Sequence, residues 1–273
     1  MTATINTHQV ATSHGTIMVE DNGKSGIPLV MIHGNSTSRR VFARQLQADL
    51  LSRRRIIALD LPGHGESENA SQPERSYTRT GLADLVLELL ASLDVREAVI
   101  LGWSLGGHIG IQMLAQFPGA IGLIITGTPP VRPGGMSEGF RRVPQVGLPS
   151  KGSFSPAEAE RFATMIFGAP VEPFLLEAIL RTDSQFREVL FRAARAGDGL
   201  DQRAIVESCK VPIAVINGAD DQLINLDYVD SPNYANLWSG RCHRLDGAGH
   251  AAFWHAAPRF NALVARFLSD VGA

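Results

Sequence analysis

The sequence predicts an α/β protein with one mostly parallel central sheet and helices on both faces. Short apolar runs alternate with longer amphipathic runs, and each apolar run ends in turn-forming residues. The alternation stops between about Val131 and Ala204, where only helical patterns occur. This middle stretch is therefore predicted to be a helical cap inserted into the core.

Five apolar runs have the length of buried parallel strands. They cover residues 29–32, 56–59, 98–101, 121–126 and 213–216. Two earlier runs, residues 9–12 and 16–20, flank His14-Gly15 and are predicted to form a hairpin at the sheet edge.

Helical patterns fill the intervals between the strands. In the core they cover residues 41–51, 80–93, 108–117 and 256–268, and in the middle stretch 157–167, 174–181 and 185–196. Ser155-Pro156 followed by Glu158 is a typical helix start. We therefore assign residues 1–130 and 205–273 to the core, and residues 131–204 to the cap.

The composition excludes several classes of partner. The chain has 273 residues and a net charge of −2, so it has no basic excess for nucleic acid and no polybasic cluster for a membrane. The first residues do not resemble a secretory signal, and the two cysteines, Cys209 and Cys242, are expected to be buried thiols. A cytoplasmic protein without metal or cofactor is the expectation, and its oligomeric state is left open.

The motif Gly102-Trp103-Ser104-Leu105-Gly106 is the strongest functional signal. It follows a strand pattern and opens a helix pattern, which is the context of a G-x-S-x-G nucleophile elbow. A serine at such a turn is held above the sheet at a helix N-terminus, where developing negative charge is stabilised. Ser104 is therefore the predicted nucleophile, and an ordinary glycine-rich turn is the alternative.

A serine nucleophile needs a base and a carboxylate, which in proteins with this elbow follow the serine in the order acid, then histidine. His250 lies on a glycine-rich loop after the last strand pattern and is the predicted base; His255 is its nearest competitor. Three residues after Gly218, Asp221 is the favoured acid, and the adjacent Asp220 remains the alternative.

The oxyanion of the tetrahedral intermediate needs two N–H donors. The backbone of Leu105, directly after the nucleophile, is one predicted donor, and the backbone of Asn35 in His33-Gly34-Asn35-Ser36 is the other. The Asn35 side chain is also a candidate substrate contact. Apolar cap residues, Phe162 and Ile166 among them, are candidates for an acyl-chain pocket, although plain cap packing accounts for most of them.

These motifs resemble those of the α/β-hydrolase superfamily, and they occur in family order across nearly the whole chain. The likeness covers His33-Gly34, the turn from Asp60 to Ser67, the elbow, Gly218 to Asp221, and Gly249-His250. Within the superfamily the sequence is most similar to the metal-independent N-acyl-homoserine lactonases, notably in the segments 33–36, 102–111, 125–131 and 212–218. In that family the acid position can be glutamate, whereas this chain has Asp221.

The resemblance implies a serine hydrolase that opens the lactone ring of N-acyl-homoserine lactones, a quorum-quenching activity, through an acyl-enzyme on Ser104. A general carboxylesterase or perhydrolase with the same triad is the first alternative. A ligand receptor on a hydrolase scaffold is the second, although an apparently intact triad argues against it. The expected partner is a small acyl ester or lactone.

Overall fold

A computed structural model describes residues 6–141 and 148–273, and within them one eight-stranded sheet. Its strands are β1 (Asn6–Thr12), β2 (Gly15–Asp21), β3 (Leu29–Ile32), β4 (Ile56–Leu59), β5 (Ala98–Trp103), β6 (Ala120–Thr126), β7 (Ile213–Gly218) and β8 (His243–Leu245). Their order across the sheet is β1-β2-β4-β3-β5-β6-β7-β8.

The sheet is antiparallel only at one edge. β1 and β2 form a hairpin and β2 runs antiparallel to β4, whereas every pair from β4 to β8 is parallel. Side chains alternate between two apolar layers: Val30 and Ile32 pack into one, and Leu29 and Met31 into the other. The predicted mostly parallel sheet, buried on both faces and with an edge hairpin, is confirmed.

Helices connect the strands and cover both layers. In the core they are α1 (Ala43–Leu46), α2 (Pro73–Ser76), α3 (Arg79–Ser92) and α4 (Leu105–Met113). Between β6 and β7 lie α5 (Met136–Gly139), α6 (Pro156–Phe167), α7 (Pro173–Arg181), α8 (Ser184–Arg195) and α9 (Gln202–Ser208), and after β7 lie α10 (Leu226–Asp230), α11 (Ala252–His255) and α12 (Ala257–Asp270).

One helix prediction in the core is wrong. Residues 41–51 do not form a single helix but three short pieces: a 3-10 turn at Arg39–Phe42, then α1, and a 3-10 turn at Asp49–Leu51. Within α1 the buried side chain of Gln45 ties the segment to the end of the chain, because its Nε2 donates to the carbonyl of Phe253 and to Asn261 Oδ1, each at 2.9 Å. The local helical pattern is therefore realised only over the four residues of α1 and the two flanking 3-10 turns.

Of the helices described between β6 and β7, α6, α7 and α8 match their predicted positions to within one residue, whereas α5 and α9 have no predicted counterpart. Ser155 caps α6 in a capping box with Glu158, as the sequence pattern predicts. The predicted boundary after residue 204 falls inside α9, and residues 142–147 of the insertion lie outside the described residues. We call residues 131–204 the insertion; its role as a cap stays a prediction.

Two further expectations concern the cysteines and membranes. Cys209 and Cys242 are free thiols, and both are half-buried rather than fully buried, with Cys242 packed against one of the apolar layers. Among the described residues, none of the helices has both the length and the apolar character needed to cross a bilayer.

Candidate active site

Ser104 occupies a strained turn between β5 and α4. Its backbone has φ 53° and ψ −114°, a conformation that residues other than glycine rarely adopt. Hydrogen bonds hold the turn on both sides: Ser104 N donates to the carbonyl of Thr126 at 2.9 Å, and Thr128 Oγ1 donates to the carbonyl of Ser104 at 2.9 Å. Ser104 is half-buried, so its side chain remains accessible above the sheet.

The glycine at position 106 allows β3 to approach the turn closely. A Cβ atom there would lie 2.0 Å from the carbonyl oxygen of Ile32, so only glycine fits. The close contact brings the loop after β3, which carries Asn35, beside the start of α4. The two predicted oxyanion donors therefore belong to neighbouring segments.

His250 and Asp221 form a hydrogen-bonded pair at the same end of the sheet. The Nδ1 atom of His250 lies 2.9 Å from Asp221 Oδ2, and both side chains are buried. Asp220, the alternative acid, is exposed and contributes a backbone N–H to the carbonyl of Ala248. The geometry thus pairs the predicted base with Asp221 and not with Asp220.

The environment of Asp221 favours its ionised form. Burial alone would raise the pKa of this carboxyl, but the facing His250 and the N–H groups of Leu223 and Ile224, which donate to Oδ1 at 2.8 and 3.1 Å, lower it below its usual value. An ionised carboxylate only accepts hydrogen bonds, so His250 donates its Nδ1–H to Asp221. That tautomer leaves Nε2 unprotonated and able to accept a proton.

His250 is also held by two neighbours that sequence reasoning missed. The indole Nε1 of Trp103 donates to the His250 carbonyl at 3.1 Å, and the two rings lie 5.6 Å apart. Gly127 has φ 61°, and a Cβ atom there would lie 2.8 Å from His250 Cε1. Trp103 occupies a variable position of the elbow motif, so only its size hinted at this role.

The predicted oxyanion donors Leu105 and Asn35 differ in how they are fixed. Leu105 is the first residue of α4, and the leading N–H groups of a helix have no partner within it. The side chain of Asn35 is engaged: Nδ2 donates to the carbonyl of Pro149 at 3.0 Å, and Oδ1 accepts from Ser36 Oγ at 2.8 Å. A direct substrate contact by this amide therefore stays a prediction.

Two buried histidines support the loop that carries Asn35. His33 Nε2 accepts the N–H of Leu61 at 2.9 Å, and His64 Nε2 accepts the N–H of Ser36 at 3.2 Å. Burial lowers the pKa of His33, and it lowers the pKa of His64 well below its usual value. Both rings are therefore neutral and act as acceptors near neutral pH.

We expect the free energy of unfolding to fall as the pH drops below about 6.5. Because the folded-state pKa of His64 lies below the unfolded value, the unfolded chain binds more protons, and stability is lost as the pH falls from the unfolded towards the folded pKa. Each pKa unit of depression corresponds to about 1.4 kcal/mol. Urea unfolding between pH 8 and pH 5 measures the slope.

A His64→Gln variant tests the assignment of this slope. Glutamine Oε1 can still accept the Ser36 N–H, but the side chain does not titrate, so the variant should lose less stability than the wild type on acidification. Measurements at pH 8 provide the reference for both proteins. An unchanged slope in the variant would contradict the role of His64.

The two candidate acyl-pocket residues lie in an apolar layer next to the site. Phe162 and Ile166 are buried on α6, in the same cluster as Trp103. The neighbouring Phe167 packs its ring 5.7 Å from Trp103, which itself contacts His250. The structure thus brings this face of α6 near the base, and contact of Phe162 or Ile166 with substrate stays a prediction.

Two other histidines, His255 and His108, have partners outside the pair of His250 and Asp221. His255 is exposed and donates from Nε2 to the carbonyl of Phe167 at 3.0 Å. The histidine bound to Asp221 is His250. His108 is buried with Nδ1 2.6 Å from Gln202 Oε1. Within residues 6–141 and 148–273, no group of three His, Cys, Asp or Glu side chains is arranged to hold a metal ion.

Comparison with known proteins agrees with this arrangement. The profile of the alpha/beta hydrolase family matches residues 29–263. The chain belongs to the α/β-hydrolase family. Among the relatives of this α/β hydrolase, AB hydrolase superfamily protein YisY from Bacillus subtilis (strain 168) is 25% identical and aligns over 95% of this chain and 98% of its own length.

Solved α/β-hydrolase structures are similar over nearly the whole chain. The N-acyl homoserine lactonase AidH complexed with N-butanoyl homoserine is 44% identical, with a TM-score of 0.95 over 98% of this chain and 97% of its own. A serine-to-glycine variant of AidH complexed with N-hexanoyl homoserine lactone matches equally, at 44% identity and a TM-score of 0.95 over 98% of both chains. The esterase RhEst1 from Rhodococcus sp. ECU1013 is 26% identical, with a TM-score of 0.79 over 99% of this chain and 100% of its own.

Proposed function

We propose that this α/β hydrolase opens the ring of N-acyl-homoserine lactones with Ser104 as nucleophile, His250 as base and Asp221 as acid. The likeness to AidH over 98% of the chain supports the substrate class. The hydrogen-bonded pair of His250 and Asp221 lies at the same carboxyl end of the sheet as the strained Ser104, which supports their roles as base and acid. Residues 131–204 would act as the cap over this end of the sheet.

The reaction follows from the positions of these groups. Ser104 Oγ attacks the lactone carbonyl while His250 Nε2 takes its proton, and the N–H groups of Leu105 and Asn35 stabilise the oxyanion. Collapse breaks the ring C–O bond, and His250 protonates the leaving ring oxygen. The homoserine carboxyl group is then an ester of Ser104, with the N-acyl chain still on its amide nitrogen and the new hydroxyl still attached.

Hydrolysis of this ester completes the cycle. His250 deprotonates a water molecule that attacks the ester carbonyl, and Ser104 leaves as its hydroxyl on receiving the proton back. Because the hydroxyl formed in the first step stays tethered, ring closure competes with water. Asp221 holds the His250 tautomer in both half-reactions.

Acid release tests the proposal directly, because ring opening produces one carboxylic acid per turnover. We expect kcat/KM of at least about 10⁴ M⁻¹s⁻¹ for a homoserine lactone within a series of graded acyl length, measured by pH-stat. The aryl ester p-nitrophenyl butanoate serves as the comparison substrate. Fast ester hydrolysis without acid release from any lactone would refute the lactonase proposal.

That opposite result would favour the second candidate, a general carboxylesterase. The similarity to the esterase RhEst1 over the full length of both chains is the observation in its favour. Both candidates use the same triad, so the substrate series separates them and active-site variants do not.

A further inference from the structure

Arg187 on α8 is a buried cation held without a carboxylate. Its side chain is 1% exposed, and among the described residues no acidic oxygen lies within ion-pair distance of it. The ring of Phe154 lies 4.2 Å from its guanidinium carbon. Burial lowers the pKa of Arg187 to about 10, so it stays charged at neutral pH. Burying such a charge is unfavourable, which makes its hydrogen bonds informative.

Those hydrogen bonds join the insertion to the loop after β3. Nε donates to Ser36 Oγ at 2.7 Å, Nη2 donates to the carbonyl of Ile179 at 2.8 Å, and Nη1 donates to the carbonyl of Gly152. The contact with Ser36 spans 151 residues of sequence. We propose, on the basis of the proposed function, that Arg187 is a positioning residue that fixes the oxyanion loop through Ser36.

Ser36 has the conformation of a residue that needs such support. Its φ is 63°, in the left-handed region that favours glycine. Its backbone N–H is held by His64 Nε2, and its hydroxyl accepts from Arg187 and donates to Asn35 Oδ1 at 2.8 Å. A non-glycine residue keeps this conformation only where its surroundings fix it from several sides. The hydroxyl of Ser36 is therefore the link between Arg187 and the predicted oxyanion donor.

The hydrogen bonds close into a ring. Asn35 Nδ2 donates to the carbonyl of Pro149, and Arg187 Nη1 binds the carbonyl of Gly152 only three residues further on. Movement of the segment 149–152 relative to the core therefore pulls on Asn35 both directly and through Arg187 and Ser36. The orientation of the oxyanion loop depends in this way on how the insertion is seated.

Both ends of α8 are anchored to the core, which gives Arg187 a fixed base. At its start, Asp183 accepts the hydroxyl of Tyr77 at 2.6 Å. Just after its end, Asp198 accepts the N–H of Arg79 at 2.8 Å and the hydroxyl of Thr80 at 2.9 Å. Arg187 is thus held in a fixed position relative to the core, and its hydrogen bond fixes Ser36 in turn.

Loss of this support should reduce stabilisation of the transition state more than it reduces substrate affinity. An oxyanion donor acts on charge that develops only during reaction, so its displacement lowers kcat and leaves KM nearly unchanged. For Arg187→Met we expect kcat to fall by about 10- to 100-fold and KM to change by less than about twofold. Arg192→Met is the matched control, because Arg192 lies on the same helix but is exposed and pairs with Glu74.

The substrates are p-nitrophenyl butanoate and the best homoserine lactone of the graded series. A second readout is the rate at which a fluorophosphonate probe labels Ser104, since this reaction also builds negative charge on oxygen in the site. Labelling should slow in Arg187→Met and not in Arg192→Met. Because labelling needs no lactone, this result is independent of whether the proposed substrate is correct.

Ser36→Ala provides a variant with less risk of misfolding, because Arg187 keeps its bonds to Ile179 and Gly152. It should lower kcat in the same way, and the double variant Arg187→Met/Ser36→Ala should fall no further than about twofold below the lower single variant. Ser76→Ala, another buried serine bound to a histidine, His14, is the matched control. Multiplying losses, an effect confined to KM, or equal losses in Arg187→Met and Arg192→Met would overturn the proposal.

Discussion

Ser104→Ala is expected to lower kcat/KM by about 10⁵-fold while the protein stays folded. The loss is large because alanine has no hydroxyl to attack the carbonyl. The turn itself should persist, since Ser104 N still donates to the carbonyl of Thr126 and Thr128 Oγ1 to the carbonyl of residue 104. Initial-rate kinetics with a homoserine lactone and with p-nitrophenyl butanoate measure the effect. The same variant should fail to bind a fluorophosphonate covalently, as read by intact-protein mass.

Ser239→Ala is the matched control for this variant. Ser239 also has a positive φ, 56°, and its hydroxyl lies 2.8 Å from a histidine nitrogen, that of His243, but it lies beyond β7 and away from the elbow. Its replacement should leave kcat/KM within about twofold of the wild type. Near-normal hydrolysis by correctly folded Ser104→Ala would show that another group is the nucleophile.

Backbone strain at Ser104 should also affect the melting temperature of variants at this position. A residue forced into this region of φ and ψ costs about 1–3 kcal/mol, whereas glycine enters it freely. Ser104→Gly should therefore unfold at a higher temperature than Ser104→Ala, even after the greater flexibility of glycine in the unfolded chain is counted. Both variants should be equally inactive. Equal melting temperatures would mean that the turn stores no strain.

The sequence sufficed for the sheet and for the location of the site because both depend on local patterns. Buried parallel strands appear in the sequence as short apolar runs. Because the strands are parallel, their carboxyl ends lie at the same end of the sheet. Asn35, Ser104 and the loop of Asp221 follow β3, β5 and β7 at that end. The spacing from Gly218 favours Asp221 over the adjacent Asp220 as the acid but leaves both open. The structure then pairs Asp221, and not Asp220, with His250.

The supporting hydrogen bonds were not predictable, because they join residues far apart in sequence. The contact of Arg187 with Ser36 spans 151 residues and has no local signal in the sequence. His33 and His64 each accept a backbone N–H that lies 28 positions away in the sequence, from Leu61 and Ser36. The bonds of Gln45 to Phe253 and Asn261 likewise join residues more than 200 positions apart.

Asp221→Asn is expected to lower kcat by about 10⁴-fold with little loss of folding. The N–H groups of Leu223 and Ile224 donate to Oδ1, so the asparagine carbonyl should stay with them and its NH₂ should face His250. A donor in that place forces Nδ1 of His250 to accept, which moves the ring proton to Nε2. His250 then has no lone pair for the proton of Ser104, and the base is lost although the geometry survives.

Asp220→Asn is the control that separates the two aspartates. The residue is adjacent, the substitution is the same, and its side chain is exposed, so kcat should stay within about twofold of the wild type. Rates are compared from pH 6 to pH 9 so that a shift in the pH dependence of kcat is not mistaken for a loss of activity. If Asp220→Asn were the inactive protein, or if Asp221→Asn kept most of its activity across that range, the hydrogen bond between Asp221 and His250 would not be what directs the proton.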